Sequence, residues 1–222
     1  MFLIKSMDKI YKESFMKGSL YFKAIEDYRS IEDDKVGDKL EGAIEKRLNK
    51  EQGYDIYIDD IYGGNAESIG LNLTPTLSIP IKISCFSYVD ENYVIRKDNT
   101  INIKKEYFYE LEQFNGDRCV LLCTNVDEFI NRIRKAINKK NIAIKASKVY
   151  YYDDHPLFED VKKLNEKTDE ELFDLAYKSM FYKQQKYYKQ KEWRIVTKNL
   201  HDNFIEVGDL GDIFIDITQE LN

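Results

Sequence analysis

Arg118-Cys-Val-Leu-Leu-Cys123, then Thr124-Asn125, then Val126-Asp-Glu-Phe-Ile-Asn-Arg-Ile-Arg-Lys-Ala-Ile-Asn-Lys-Lys140, is the stretch on which the fold turns. Residues 119–123 are apolar at every position, which predicts a strand covered on both faces, inside a sheet. Val126, Phe129, Ile130, Ile133 and Ile137 recur at helical spacing, so 126–140 is predicted to be a helix with one apolar stripe. Asp127 and Glu128 suit its positive N-terminus, and Lys139 and Lys140 suit its C-terminus. Residues 142–152 then return as a strand.

Working outward, no regular strand–helix–strand rhythm continues. On the N-terminal side, 8–17 reads as a short helix with Ile10, Tyr11 and Phe15 on one side and Gly18 as its cap. A strand is expected over 19–24, and 25–50 reads as turn or irregular loop with a short helix around 43–48. Residues 51–78 form a polar excursion, ordered or lid-like, with an edge strand at 54–58. A strand at 79–88 and a hairpin arm over 92–104 follow, and 105–114 leans to helix although Asn115-Gly116 is also a hairpin signal. On the C-terminal side, Thr168-Asp-Glu-Glu171 is a capping box opening a helix that runs to about Phe181. Strands are expected at 193–197, 204–207 and 213–217. Hairpin-like strand pairs mixed with a few helices predict an α+β fold, a mostly antiparallel mixed sheet in a single domain over 1–222.

Composition permits such a core. Of 222 residues 43% are hydrophobic, and the 33% that are charged mix both signs, which excludes a wholly disordered chain, collagen and a disulfide scaffold. The net charge of -6 disfavours nucleic acid and anionic lipid as partners, leaving a local basic patch open. The apolar run before Lys5 is too short for a secretory signal, and no stretch approaches a membrane span. Three cysteines, an odd count without a signal peptide, fit a reducing cytoplasm.

Two polar clusters carry the candidate chemistry. The first runs from Tyr28-Arg29 through Glu32-Asp33-Asp34 to Asp38 and Glu41, with five carboxylates between 32 and 41. Clustered carboxylates can hold magnesium, act as a base or orient a ribose, although the spacing is not that of an EF-hand loop. The plainer reading is a solvated acidic loop. The second is Gln190-Lys-Glu192-Trp193-Arg194-Ile195. In a strand, Glu192 and Arg194 share one face and Trp193 and Ile195 the other. Glu192 could then be a general base or a ribose ligand, or simply half of a structural ion pair. Candidate catalytic residues are therefore Glu192 and Arg29, with Arg194, Tyr28, Glu32, Asp38 and Glu41 as substrate-binding candidates.

Other signals are weaker. The run 181–191 interleaves lysines with aromatics as nucleic-acid stripes do, or as a lysine-rich helix end does. Cys119 and Cys123 would stand more than ~13 Å apart along an extended strand, too far to share a metal or a disulfide. A pairing of Cys85 with His155 or His201 has no local support, and no zinc motif or phosphate loop is present.

Four ordered pieces resemble an uncharacterised bacterial family, a domain of unknown function. They are Gly18-Ser-Leu-Tyr-Phe with Tyr28-Arg29, Glu32-Asp33 and Gly37-Asp38-x-x-Glu41-Gly42; Ser84-Cys-Phe-Ser87; Phe114-Asn-Gly-Asp117 leading into 119–123; and Gln190-Lys-Glu-Trp-Arg-Ile195. The resemblance implies phage-related or defence loci and supplies no mechanism. A fainter resemblance is to ADP-ribosyltransferases. Leu20-Tyr21-Phe22 with Tyr28-Arg29 would stand for their early strand, and Glu192 for their late glutamate on the nicotinamide ribose.

Three functions follow as expectations. The first is an enzyme acting on a nucleotide or NAD, for which Glu192→Gln would abolish activity and spare the melting temperature. The second is a protein-binding module, such as a phage-related inhibitor or sensor. The third is a magnesium-dependent nuclease built on the acidic cluster.

Overall fold

Both faces of the 119–123 segment are covered because it lies inside a seven-stranded sheet, one strand from the edge. The computed structural model describes residues 1–30, 42–58, 61–73, 81–97, 100–110, 118–138, 140–153 and 166–221. In its N-terminal part the chain forms β1 (Phe2–Asp8), α1 (Lys12–Met16), β2 (Ser19–Tyr21), β3 (Lys23–Ala24), α2 (Ile25–Arg29), β4 (Ile44–Ile58) and β5 (Ile61–Leu73). The middle forms β6 (Ile81–Val89), β7 (Val94–Lys97), β8 (Thr100–Ile103), α3 (Lys105–Glu110), β9 (Arg118–Cys123), α4 (Val126–Ile137), β10 (Ala143–Lys148) and β11 (Tyr150–Tyr152). The chain ends with α5 (Asp169–Ser179), β12 (Tyr182–Gln184), β13 (Glu192–Lys198), β14 (Phe204–Glu206) and β15 (Phe214–Asp216). This is the expected single-domain α+β class.

The sheet order is β10-β13-β6-β1-β9-β15, every neighbouring pair antiparallel, with the short β3 also paired to β6. One face carries Leu3, Met7, Phe86, Leu121, Trp193 and Ile195 and is covered by the apolar stripe of α4, through Phe129, Ile133 and Ile137. Edge-to-face ring contacts join Phe86 to Phe129 and to Trp193, with centroids 5.4 and 5.8 Å apart.

The opposite face is covered in two separate patches. Phe2, Ile4, Val120 and Leu122 pack with Ile103 and Tyr107, from β8 and α3. Ile81, Ile83 and Val196 pack with Ile25 of α2, Tyr177 of α5, and Met180 and Phe181 just beyond it. The sheet residues between these two patches are polar: Ser6, Cys85, Ser87, Glu192 and Arg194. Two layers thus leave a polar seam on one face of the central strands.

Four expectations need correction. The first strand, β1, was not expected at all. Its two faces meet different apolar clusters, and Lys5-Ser6 interrupts the run, so it lacks simple alternation. The segment 43–48 is not a helix but the start of β4, which pairs with β5 in a long hairpin. Glu, Lys, Arg and Leu favour a helix locally, yet cross-strand pairing overrides such weak preferences. Residues 25–29 form α2 rather than loop, with Ile25 fully buried. The returning strand at 142–152 divides at Val149 into β10, antiparallel to β13, and β11, parallel to β12.

The capping box is present as read. Thr168 Oγ1 accepts the Glu171 N–H at 3.3 Å, and Glu171 Oε2 accepts the Thr168 N–H at 2.8 Å. Thr168→Ala is expected to cost about 1 kcal/mol, measured by urea unfolding with an unchanged slope.

Candidate functional site

The seam opens into a cleft because of how one edge of β6 is shared. Residues Ser87 to Val89 on that edge pair with β1, ending at Ile4↔Ser87, while Ile83 and Lys82 pair with β3. Residues 84–86 lie between these two pairings. β1 continues instead along β9 as far as Asp8↔Arg118. The result is an opening between β1 and β6 of about 250 Å³. Lys5, Ser6, Tyr28, Cys85, Ser87, Arg118, Gln190 and Glu192 supply its polar lining.

Lys5 bridges the opening. Its Nζ donates to the Cys85 carbonyl oxygen at 2.8 Å and stands 3.5 Å from Ser84 Oγ, over the Phe86 ring. The ammonium therefore satisfies a carbonyl that a strand neighbour would otherwise meet. Burial drags its pKa down to about 8; the Cys85 thiol opposes the shift and the Arg118 guanidinium adds to it. Arg118 enters from β9, with Nε on Ser6 Oγ at 2.8 Å, Nη2 on the Ser6 carbonyl at 3.0 Å and Nη1 on Asp8 at 3.2 Å.

Tyr28 reaches the cleft because β3 docks beside Ile83 and hands the chain directly into α2. Its hydroxyl is 3.7 Å from Cys85 Sγ. Burial, then the neighbouring Cys85 and Glu192, keep that hydroxyl protonated well past its ordinary range.

Glu192 lies at the deep end, with 12% of its side chain exposed, against 0% for Arg194 and 1% for Lys183. Arg194 Nε and Nη2 bond Glu192 Oε2 at 2.6 and 2.5 Å, and Lys183 Nζ lies 3.1 Å from Oε1. Arg194 Nη1 donates to the Met180 carbonyl at 2.5 Å, and Lys183 Nζ to Gln190 Oε1 at 2.8 Å. The Glu192 backbone N–H donates to Tyr151 Oη at 2.8 Å. Burial alone would raise the Glu192 pKa, but Arg194 and then Lys183 outweigh it and hold the carboxyl at about 2. A base this weak is poorly matched to proton abstraction near neutral pH. It remains a good acceptor for a hydroxyl group and a counterion for the cations around it.

Of the sequence candidates, the fold brings Tyr28 and Glu192 into the cleft and sets Arg194 directly beneath. Arg29 is not in the lining. Its Nη2 lies 3.6 Å from where a Cβ on Gly42 would stand, on the side of Met180. Glu32, Asp38 and Glu41 fall outside the described residues, as does His155. Among the described residues no group of three or more His, Cys, Asp or Glu is placed to hold a metal. Leu20 and Phe22 are core residues and Tyr21 is exposed on the β2–β14 ribbon, so that element is not part of the cleft.

Comparison with protein-family models, curated proteins and solved structures found no match. The site is thus read from its own chemistry.

Sequence reasoning missed Lys5, Arg118, Lys183 and Gln190. Lys183 sat in the lysine–aromatic run, where every lysine looked solvated, yet it is 2% exposed. Its signal was position: β12 pairs with β11 and faces inward at its middle residue. Lys5 carried a signal as well, a charge set between the apolar Phe2-Leu3-Ile4 and Met7 of the first strand. No helix among the described residues is long and apolar enough to cross a membrane.

Proposed function

We propose that the cleft between β1 and β6 binds a small anionic molecule, such as the phosphate–ribose end of a nucleotide or of NAD, and that the chain acts on it enzymatically. The observation that carries this reading is the charge count at the seam. Among the described residues Lys5 and Arg118 line the cleft together with one carboxylate, Glu192, which Lys183 and Arg194 bind from beneath. The described lining thus carries two cations against one carboxylate in a partly enclosed space, where screening by water is weak and an anion is favoured. Glu192 then serves as a hydroxyl acceptor and as the group that fixes Lys183 and Arg194. The volume of about 250 Å³ suits part of a nucleotide and is too small for a whole dinucleotide.

The test is a thermal-shift panel with NAD, ATP, GMP, a short RNA and inorganic phosphate, each with and without magnesium. A ligand at about 100 times its dissociation constant should add about 2.7 kcal/mol. The shift should vanish in Arg118→Ala and persist in Arg29→Ala, since Arg29 lies outside the lining. Absence of any shift would overturn the reading. A shift that appears only with magnesium would favour the nuclease alternative instead.

A second reading, a protein-binding module, has one observation in its favour. Tyr21 and Phe204 lie with tilted rings, centroids 5.2 Å apart, on the β2–β14 ribbon while remaining 45% and 49% exposed. Exposed aromatics of this kind are common at interfaces. Recovery of a stoichiometric protein partner that Tyr21→Ser with Phe204→Ser abolishes would favour it.

A further inference from the structure

Lys5 is placed differently from the other cations of the cleft. Lys183 and Arg194 are bound to Glu192, and Arg118 to Asp8. Among the described residues Lys5 bonds only neutral oxygens, the Cys85 carbonyl and Ser84 Oγ. The titratable and charged groups around it are Cys85 from β6, Arg118 from β9, Tyr28 from α2 and Glu192 from β13, all lining the same opening. Among the described residues Arg118 uses three of its five N–H groups, on Ser6 and Asp8, and two more are available to a ligand there.

We propose that Lys5 is a nucleophilic amine that forms an imine with a small aldehyde or ketone carrying a carboxylate or phosphate, the anionic group being held by Arg118. This rests on the reading of the cleft as an anion site and names the substrate class that enters it. A lysine desolvated beside another cation, with no carboxylate bonded to it among the described residues, is the arrangement that frees the amine lone pair. The depressed Lys5 pKa, about 8, agrees with the geometry. The opening of about 250 Å³ equals roughly eight liquid waters, enough for a compact oxo-acid.

The step balances without any redox partner. The neutral Nζ lone pair attacks the carbonyl carbon, and the carbonyl electron pair moves to oxygen. That oxygen takes a proton, the nitrogen gives one up, and the carbinolamine loses water to leave C=N. Tyr28, kept protonated by burial, lines the same opening and is the group suited to hand a proton to the departing oxygen.

The experiment treats the full chain separately with glyoxylate and with propionaldehyde in the presence of sodium cyanoborohydride, which traps an imine as a stable amine. Peptide mapping by mass spectrometry then locates the label. The expected result is label on Lys5 ahead of surface lysines, with a rate that rises through a midpoint near pH 8 rather than near 10.5. Glyoxylate should outpace propionaldehyde at Lys5, and Arg118→Ala should reduce the glyoxylate rate by about tenfold, the scale of one charge-assisted hydrogen bond. Lys5→Arg should remove the label at that position with little change in melting temperature.

Label spread over surface lysines, with Lys5 unreactive to both aldehydes, would overturn the proposal while leaving the phosphate and nucleotide shifts intact. Equal labelling of Lys5 by both aldehydes, insensitive to added inorganic phosphate, would overturn the assigned substrate class and the anion reading beneath it. The wild-type peptide map decides the first point whether or not any variant folds.

Discussion

Arg194→Met lowers the unfolding free energy by about 3–5 kcal/mol, the scale found when one member of a buried ion pair is removed. Arg194 is fully buried, so its replacement cannot be relieved by water reaching the gap. Two losses combine. Among the described residues Glu192 then keeps Lys183 as its one ion-pair partner, and the Met180 carbonyl loses the Nη1 donor it holds at 2.5 Å. Glu192→Gln should also destabilise, because Lys183 and Arg194 would then face a neutral amide. This departs from the expectation that Glu192 could be neutralised at no cost in melting temperature. A double-mutant cycle of Arg194→Met with Glu192→Gln, followed by urea unfolding, should show a coupling well above the near-zero value for distant sites. Independent, additive effects would overturn the network as described.

The same network fixes the acid limb of stability. The folded-state pKa of Glu192 lies below its ordinary value, held at about 2 by Arg194 and Lys183. The folded state therefore binds a proton less readily than the unfolded chain does. Its contribution is complete above about pH 4.5 and is lost as pH falls from there towards 2. The midpoint urea concentration of the wild type should drop across that window, and the drop should be smaller in Glu192→Gln.

Gly18→Ala is expected to cost about 3 kcal/mol or more, from a strained backbone and a backbone collision together. Gly18 ends the α1 turn at φ +102°, a conformation that residues with a Cβ rarely adopt. A Cβ there would stand 2.1 Å from the Gly208 carbonyl oxygen and 2.6 Å from its carbon. The approach is close because Gly18 accepts the Val207 N–H at 2.9 Å, just before Ser19 pairs with Glu206. The paired strands cannot part without losing these bonds. Gly208 makes the control: its φ is +81°, yet a Cβ on it meets nothing within 4 Å. Gly208→Ala should therefore cost only the conformational strain, about 1 kcal/mol. Equal losses for the two variants, read from thermal and urea unfolding, would sink the collision argument.

The two glycines also show how far the sequence could be read. Gly18 was legible as a helix cap because a left-handed residue after a short amphipathic run is a local matter. Its second role, letting two backbone segments cross, depends on a residue 190 positions away in the chain. The strand at 119–123, the α4 stripe and the Thr168 capping box were legible for the same reason, since each is written in periodicity or in neighbours three or four residues apart. The opposite faces of Glu192 and Trp193 followed from the two-residue period of a strand, and the structure places Trp193 in the core and Glu192 in the seam. By contrast the start of β4 looked helical, although its end at 54–58 read as an edge strand, and β1 looked like nothing in particular. Both become strands through partners that local propensity cannot name.

The sequence by itself determined the α+β class, most of the strands, the two longer helices and the pairing of faces around Glu192 and Arg194. Only the tertiary structure decided the site. The cleft exists because β1 pairs with one end of that edge of β6 and β3 with the other, and Lys5 bridges the opening between them. Lys5, Arg118 and Glu192 are more than seventy residues apart, and charge on an isolated chain is screened by water. Folding brings them into a partly dry space, where burial lowers the lysine pKa and cations lower that of the glutamate. Those shifts arise from desolvation and proximity, quantities that do not exist until the sheet has formed.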